Sequence, residues 1–192
     1  VDWDAIQQEH NASVNYVLND MRDDIIATAE AMISAIKNGG KILIFGNGGS
    51  AADAQHFAAE LVNRFLIDSA PYAALALTTD SSNLTSIAND YDYNEIFSKQ
   101  VQALGQKGDV LVGITTSGNS PNIIKALEVG RAKGCLNVCL TGGEGGECSK
   151  WSDKLLTIKA TSFTPRVQEG HLVIIHCLCE IIEKRLVEEN YE

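Results

Sequence analysis

Basic residues are scarce: 15 Lys and Arg stand against 25 Asp and Glu, a formal net charge of −10. No positive field exists to hold nucleic-acid phosphates, so DNA and RNA are not expected partners. Long apolar stretches are also missing. Gly, Thr or a charge breaks every run before the ~18 residues that a bilayer span needs, and the chain reads as soluble, with no membrane partner. The five cysteines, Cys135, Cys139, Cys148, Cys177 and Cys179, are odd in number and include no C-x-x-C unit. Neither a disulfide framework nor a cysteine zinc site is indicated, no secretory leader is recognisable, and the expected compartment is the reducing cytoplasm. With three prolines and no low-complexity tract, there is no internal linker to divide the chain.

What is present suits a single globular domain over residues 1–192. The 45% hydrophobic and 21% charged residues are near the globular average, and a chain of this length buries roughly 70% of its unfolded surface. Residues 2–37 carry apolar positions at helical spacing, from Ile6 through Val14, Val17, Leu18 and Met21 to Ile33 and Ile36, and stop at Asn38-Gly39-Gly40. This predicts two helices with a break near Asn19 and Asp20. Residues 1–38 thus form a helical arm whose apolar face must bury against its own sheet or against another copy of the chain. Residues 41–45, 73–77, 110–114, 136–140 and, more weakly, 155–158 read as strands. Helical stretches from about Ser50, Ser81, Asp92 and Ser120 separate them, and a long helix from Arg166 to Val187 closes the chain. Strands alternating with helices imply a parallel sheet of about five strands covered on both faces, an α/β class, with ligands outside the carboxyl ends of the strands.

Two of those ends carry unusual loops. After the first strand comes Gly46-Asn47-Gly48-Gly49-Ser50, running directly into a helix. Its glycines let main-chain N–H groups approach an anion or a sugar. It lacks the G-x-G-x-x-G spacing and no Walker lysine follows, so neither a dinucleotide nor a nucleoside triphosphate is indicated. After the third strand comes Thr115-Thr116-Ser117-Gly118-Asn119-Ser120-Pro121. Pro121 suits the first helical position and Ser120 its cap. Four hydroxyls in six residues exceed what one cap needs, and with free N–H groups they make a cradle for a phosphate monoester that requires no lysine. His56 and Glu60, four apart, share a helix face as either a metal pair or a base with its orienting partner. Gln168, His171 and His176 lie near the other end of the chain.

Taken together, residues 45–50, 53–61, 87–90, 115–120 and 166–171 resemble, in order and over nearly the whole chain, the phosphoheptose isomerases, members of the sugar isomerase (SIS) domain family. The resemblance implies a flavodoxin-like SIS domain and a homotetramer with sites at subunit contacts. The implied activity is interconversion of sedoheptulose 7-phosphate and D-glycero-D-manno-heptose 7-phosphate, the step that opens ADP-heptose synthesis for the lipopolysaccharide inner core. By position it assigns substrate contacts to Asn47, Gly48, Gly49, Ser50, Glu60, Asn89, Asp90, Thr115, Thr116, Ser117, Ser120 and Gln168. It assigns one Zn2+ per subunit to His56, Glu60, Gln168 and His176, with Glu60 and His176 also the acid/base pair. Some members of the family carry an acid immediately before the arginine of the R-[IV]-Q-E segment. This chain has Pro165 there, so no role of that acid transfers.

The residue types suit such a reaction. Moving a proton between C1 and C2 through an enediol needs a base beside carbon, an acid for the oxygens and stabilisation of the enediolate. A carboxylate and an imidazole can both be brought toward neutrality by burial. Glu60 is assigned as base and His176 as acid, with exchange of the roles left open. Gln168 and His176, eight residues apart, are separated by about 12 Å on a straight helix. Either the helix begins after Gln168 or the two ligands come from different subunits, and at least one site is expected to be shared between chains. The alternative reading is a non-catalytic adaptor similar to the replication-initiation-associating SIS proteins. Glu60 and His176, which such relatives lack, weigh against it. A sugar-phosphate sensor fused to a DNA-binding module is disfavoured by the length.

Overall fold

The structure, a computed structural model, describes residues 1–190. The arm is α1 (Trp3–Asn19) and α2 (Arg22–Lys37). The Asp2 carboxylate caps α1 by accepting from the Ala5 N–H, as an N-cap acid does. The rest alternates: β1 (Ile42–Gly46), α3 (Gly49–Val62), β2 (Ala74–Ala76), α4 (Ser81–Asp90), α5 (Ser98–Leu104), β3 (Val110–Ile114), α6 (Pro121–Lys133), β4 (Leu136–Gly142), β5 (Lys154–Ile158) and α7 (Thr164–Asn190). The five strands form one parallel sheet in the order β2-β1-β3-β4-β5, the flavodoxin-like order.

Every residue of β1 and β3 is buried, which is why these strands read as unbroken apolar runs. Alternate side chains then serve two cores. Ile42, Ile44, Val110, Val112, Val138 and Leu140 pack with α1, α2, α3 and α7 on one face. Leu43, Phe45, Leu111 and Cys139 pack with α5 and α6 on the other. The arm therefore buries its apolar stripe, including Val17, Met21, Ile25, Ala29 and Met32, within its own chain, chiefly against α7.

Two boundaries differ from expectation. The helix predicted from Asp92 is interrupted: the Asp92 carboxylate accepts the Asn94 N–H at 2.7 Å, setting a 3-10 turn over Tyr93–Glu95. The Ser98 hydroxyl bonds back to Glu95, so side chains compete with the helical ladder there. The last helix starts at Thr164, with the Phe163 carbonyl accepting from Arg166 and Val167. Pro165 fits its first turn because no N–H is needed there. Gln168 is consequently inside the helix, and the option of a helix beginning after it is overturned.

One buried imidazole joins α7 to the end of β4. The His171 Nε2–H donates to the Thr141 carbonyl at 3.0 Å, and its Nδ1 has no partner among the described residues. Burial holds its pKa down at about 4, against roughly 6.5 in an unfolded chain. Below pH 6.5 the unfolded chain takes up a proton that the folded one refuses, so stability is intact above that value and declines as the pH falls toward 4. The integrated loss is about 3 kcal/mol. Urea unfolding from pH 7.5 to 4.5 should show this slope, and a His171→Asn variant, less stable throughout, should show a flatter one.

Candidate active site

Strand order reverses between β1 and β3, and there the two sheet halves leave a crevice at their carboxyl ends. Both unusual loops open onto it.

In the first loop, Gly48 has φ +56° and serves as the N-cap of α3. Ser50 is buried, and its backbone passes so close to Gly46 that a Cβ there would lie 2.6 Å from the Ser50 carbonyl oxygen. The amides of Asn47 and Asn122 pair reciprocally: each Nδ2 donates to the other's Oδ1 at 2.9 Å. The Tyr93 hydroxyl adds a donation to Asn47 Oδ1 at 3.2 Å. Asn47 therefore spends most of its side-chain capacity tying the first loop to the first turn of α6. One N–H of its amide is left for a ligand. Gln168 reaches this loop from α7, and a Cβ on Gly49 would lie 2.7 Å from its Nε2. Glycine at 49 is what lets that amide approach the loop.

In the second loop, the buried Thr115 hydroxyl pairs with the Ser120 hydroxyl at 3.0 Å. Ser120 occupies the N-cap position of α6, yet its side chain caps no helical N–H. The expected cap is thus corrected: Pro121 removes one donor, the Ile123 N–H goes to the Ser120 carbonyl, and the hydroxyl turns to Thr115. Main-chain N–H groups of Ser117, Gly118 and Ser120 make no hydrogen bond among the described residues. They sit at the N-terminus of a 13-residue helix, whose dipole favours an anion. Asn119 braces the loop from behind by accepting the Glu147 N–H at 2.9 Å and donating to the Ser117 carbonyl at 3.0 Å.

The titratable cluster lies where α3 meets α7. His56 Nε2 and Glu60 Oε1 are hydrogen-bonded at 2.9 Å. The His176 ring stands edge-on to His56 with centroids 5.2 Å apart, and the Phe65 ring is 5.5 Å from it on another side. Burial, then the nearby His56, push the His176 pKa down, while Glu60 pulls it up. At neutral pH His176 is an uncharged imidazole, with one nitrogen to give a proton and one to take it. One turn before His56 on α3, burial pushes the Asp53 carboxyl up, and His56 opposes this.

Nitrogen and oxygen donors of this kind suit zinc, and His56, Glu60 and His176 supply three of them. Within one chain Gln168 lies at the glycine loop, apart from these three. The two helices run parallel and in step, with Gln168 at Gly49 and His176 at His56, so about 12 Å of helix keeps the fourth donor away. His56 and Glu60 are turned onto each other, and no group of three or more His, Cys, Asp or Glu among the described residues is arranged as a metal site.

Asn89 and Asp90 are the least connected of the expected residues. They hydrogen-bond each other at 2.8 Å at the exposed end of α4, a helix with no buried residue. Composition and spacing gave no hint of Asn122 or Phe65. A polar side chain 2% exposed in the first turn of a helix is the signal that only the fold supplies.

An SIS-domain family model matches residues 7–142. A phosphoheptose isomerase of Aromatoleum aromaticum is 55% identical over 162 residues, covering 83% of this chain and 81% of its own. Among solved structures, a phosphoheptose isomerase from Neisseria gonorrhoeae is 42% identical with a TM-score of 0.86, over 94% of this chain and 96% of that one. Another, from Francisella tularensis, is 38% identical with a TM-score of 0.89, over 96% and 99%.

Proposed function

The chain belongs to the phosphoheptose isomerases of the SIS-domain family, and from that premise we propose that it converts sedoheptulose 7-phosphate to D-glycero-D-manno-heptose 7-phosphate through an enediol. The observation that carries this reading is the meeting of Glu60, His56 and His176 on two helices that also present Gln168 to the glycine loop. The proposed product feeds ADP-heptose synthesis for the lipopolysaccharide inner core. Five free thiols suit a cytoplasmic site of action, and no helix among the described residues is long and apolar enough to cross a membrane.

The phosphate sits in the hydroxyl cradle of Thr115, Thr116, Ser117 and Ser120, held by free N–H groups and the α6 dipole. Asn47, Gly48, Gly49 and Gln168, with Asn89 and Asp90 from a neighbouring surface, engage the sugar hydroxyls. Glu60 takes a proton from C1 of the ketose while His176 gives one to the C2 oxygen. The cis-enediol then returns the O1 proton to His176 and receives a proton at C2 from Glu60. His56, bonded to Glu60, fixes the direction of the carboxylate. Zinc at His56, Glu60 and His176, one ion per subunit, would add Lewis-acid polarisation of the carbonyl. The distance of Gln168 from that cluster supports its supply across a subunit contact.

A homotetramer is part of the proposal. Trp3, Leu18, Ile26, Leu66, Leu75 and Phe163 are exposed apolar side chains that a subunit contact would cover. A largely apolar groove of about 390 Å³ between the arm and α7, lined by Val17, Leu18, Ile25, Ile26, Cys177 and Ile181 with Arg22 the one charged side chain, gives a second copy a place to dock. Incubation with sedoheptulose 7-phosphate in D2O, followed by NMR, should yield an aldoheptose phosphate labelled at C2, and chelation should slow the reaction. Folded protein that binds the sugar phosphate without forming an aldose would overturn the proposed activity.

A further inference from the structure

Outside the reacting groups, one buried charge has its partners directly behind them. Glu183, on α7 two turns beyond His176, is 3% exposed. No cation pairs with it among the described residues. Instead its carboxylate accepts three successive main-chain N–H groups: Phe65 on Oε1 at 2.8 Å, and Leu66 and Ile67 on Oε2 at 2.8 and 2.9 Å. Such a fan of N–H groups is an anion nest, and hydrogen bonds to a charged acceptor are the strong ones.

Apart from the packing of the half-buried Phe65 side chain against the main core, the carboxylate is what holds this segment's main chain. The segment follows the end of α3 at Val62, adopts no regular structure, and leaves Leu66 exposed. Its one large contact with the site is the Phe65 ring against His176. Glu60, in the last turn of α3, and Glu183 both approach Cys179 closely enough to raise its thiol pKa, after burial. One carboxylate therefore faces the reacting groups and the other closes the chain behind them.

We propose that Glu183 is a positioning residue for the isomerisation: by holding the N–H groups of residues 65–67 it sets the Phe65 ring against the His176 imidazole and so fixes the plane in which His176 exchanges protons. This rests on the isomerase reading above, with His176 as the proton carrier for the oxygens. Neither Glu183 nor Phe65 belongs to the loops proposed to hold the substrate, so the expected signature is a fall in kcat at nearly constant KM, because a small misplacement of a proton carrier slows the chemical step and leaves phosphate binding alone.

The experiment compares the full-length wild type with Glu183→Gln, Phe65→Leu and the double variant, by steady-state kinetics on sedoheptulose 7-phosphate and by NMR of the His176 ring protons at a fixed pH of 8. Glu183→Gln keeps the shape but puts an amide N–H where an acceptor is needed. The expected result is a kcat loss of about tenfold or more in each single variant, KM within about twofold, and a double variant no slower than the slower single. The His176 ring protons should lose the same ring-current shift in all three. Additive losses in kcat, or a fall in melting temperature with kcat and the His176 signals unchanged, would overturn the proposal and leave Glu183 as a structural brace. If the wild type does not turn over this sugar, the ring-proton comparison still reads whether Glu183 places Phe65 on His176. Isomerase reading and positioning role therefore fail separately. Should Glu183→Gln not fold, Phe65→Leu supplies both readouts, and unchanged kcat and ring shifts in it would overturn the role.

Discussion

A Glu60→Gln variant should fold, bind sugar phosphate, and turn it over about 10²–10⁴-fold more slowly than the wild type, the span that a positioned general base supplies. The fold is expected to survive because Glu60 is only half-buried on α3, and the Gln carbonyl oxygen can still accept from His56 Nε2 as the carboxylate does at 2.9 Å. What the amide cannot do is take a proton from carbon. Affinity for the phosphate should persist, since the cradle after β3 is built from other elements. Glu60 is also a proposed zinc ligand, so metal content is to be measured on the same preparations. Loss of kcat with zinc content unchanged assigns the effect to the base, and loss of both assigns at least part of it to the metal. A variant within tenfold of the wild-type kcat would remove Glu60 from the mechanism and leave His176 with a different partner.

How much of this was legible beforehand depended on whether a feature is local. The strands of continuous apolar residues, the break between the arm helices and the glycine and hydroxyl loops follow from short-range chemistry, and each stands within a few residues of its expected place. The α7 boundary shows the limit of such reading, because Pro165 suggests a start after it but in fact sits within the first turn. Long-range pairings were not legible. Nothing in the spacing of Asn47 and Asn122 shows that their amides meet, or that Gln168 lies over Gly49 rather than beside His176. The first depends on where the β1–α3 loop meets the first turn of α6, and the second on the step between parallel helices α3 and α7, packed together on one face of the sheet. The candidate pair His56 and Glu60 was visible as i, i+4 spacing, but its significance came only when α7 brought His176 and Phe65 to it.

Gly118→Ala should weaken sugar-phosphate binding by about 10²-fold, close to 3 kcal/mol, far more than the loss of one methyl-sized space suggests. Gly118 has φ +68°, a conformation that costs an L-residue roughly 1–2 kcal/mol. Beyond that strain there is no room. A Cβ at 118 would overlap the Gly145 carbonyl oxygen and lie 2.9 Å from the Gly146 nitrogen. Backbone cannot rotate away as a flexible side chain can, and the Gly118 carbonyl is itself tied to the Cys148 N–H at 2.9 Å. The added carbon therefore has to push the cradle loop outward, shifting the N–H groups that hold the phosphate. Gly48→Ala is the comparison, a second positive-φ glycine without the collision. Gly48 also has a positive φ, +56°, with ψ −120°, a glycine-favouring conformation that costs other residues about 1–3 kcal/mol, but nothing lies within 4 Å of its would-be Cβ, so that variant suffers strain without collision and should lose less affinity than Gly118→Ala, although Gly48 belongs to the loop proposed to meet the sugar. Calorimetric titration with sedoheptulose 7-phosphate, in Glu60→Gln backgrounds that do not consume the ligand, separates the two. Equal losses at 48 and 118 would mean that the contact between the 115–121 and 143–146 loops does not govern the cradle.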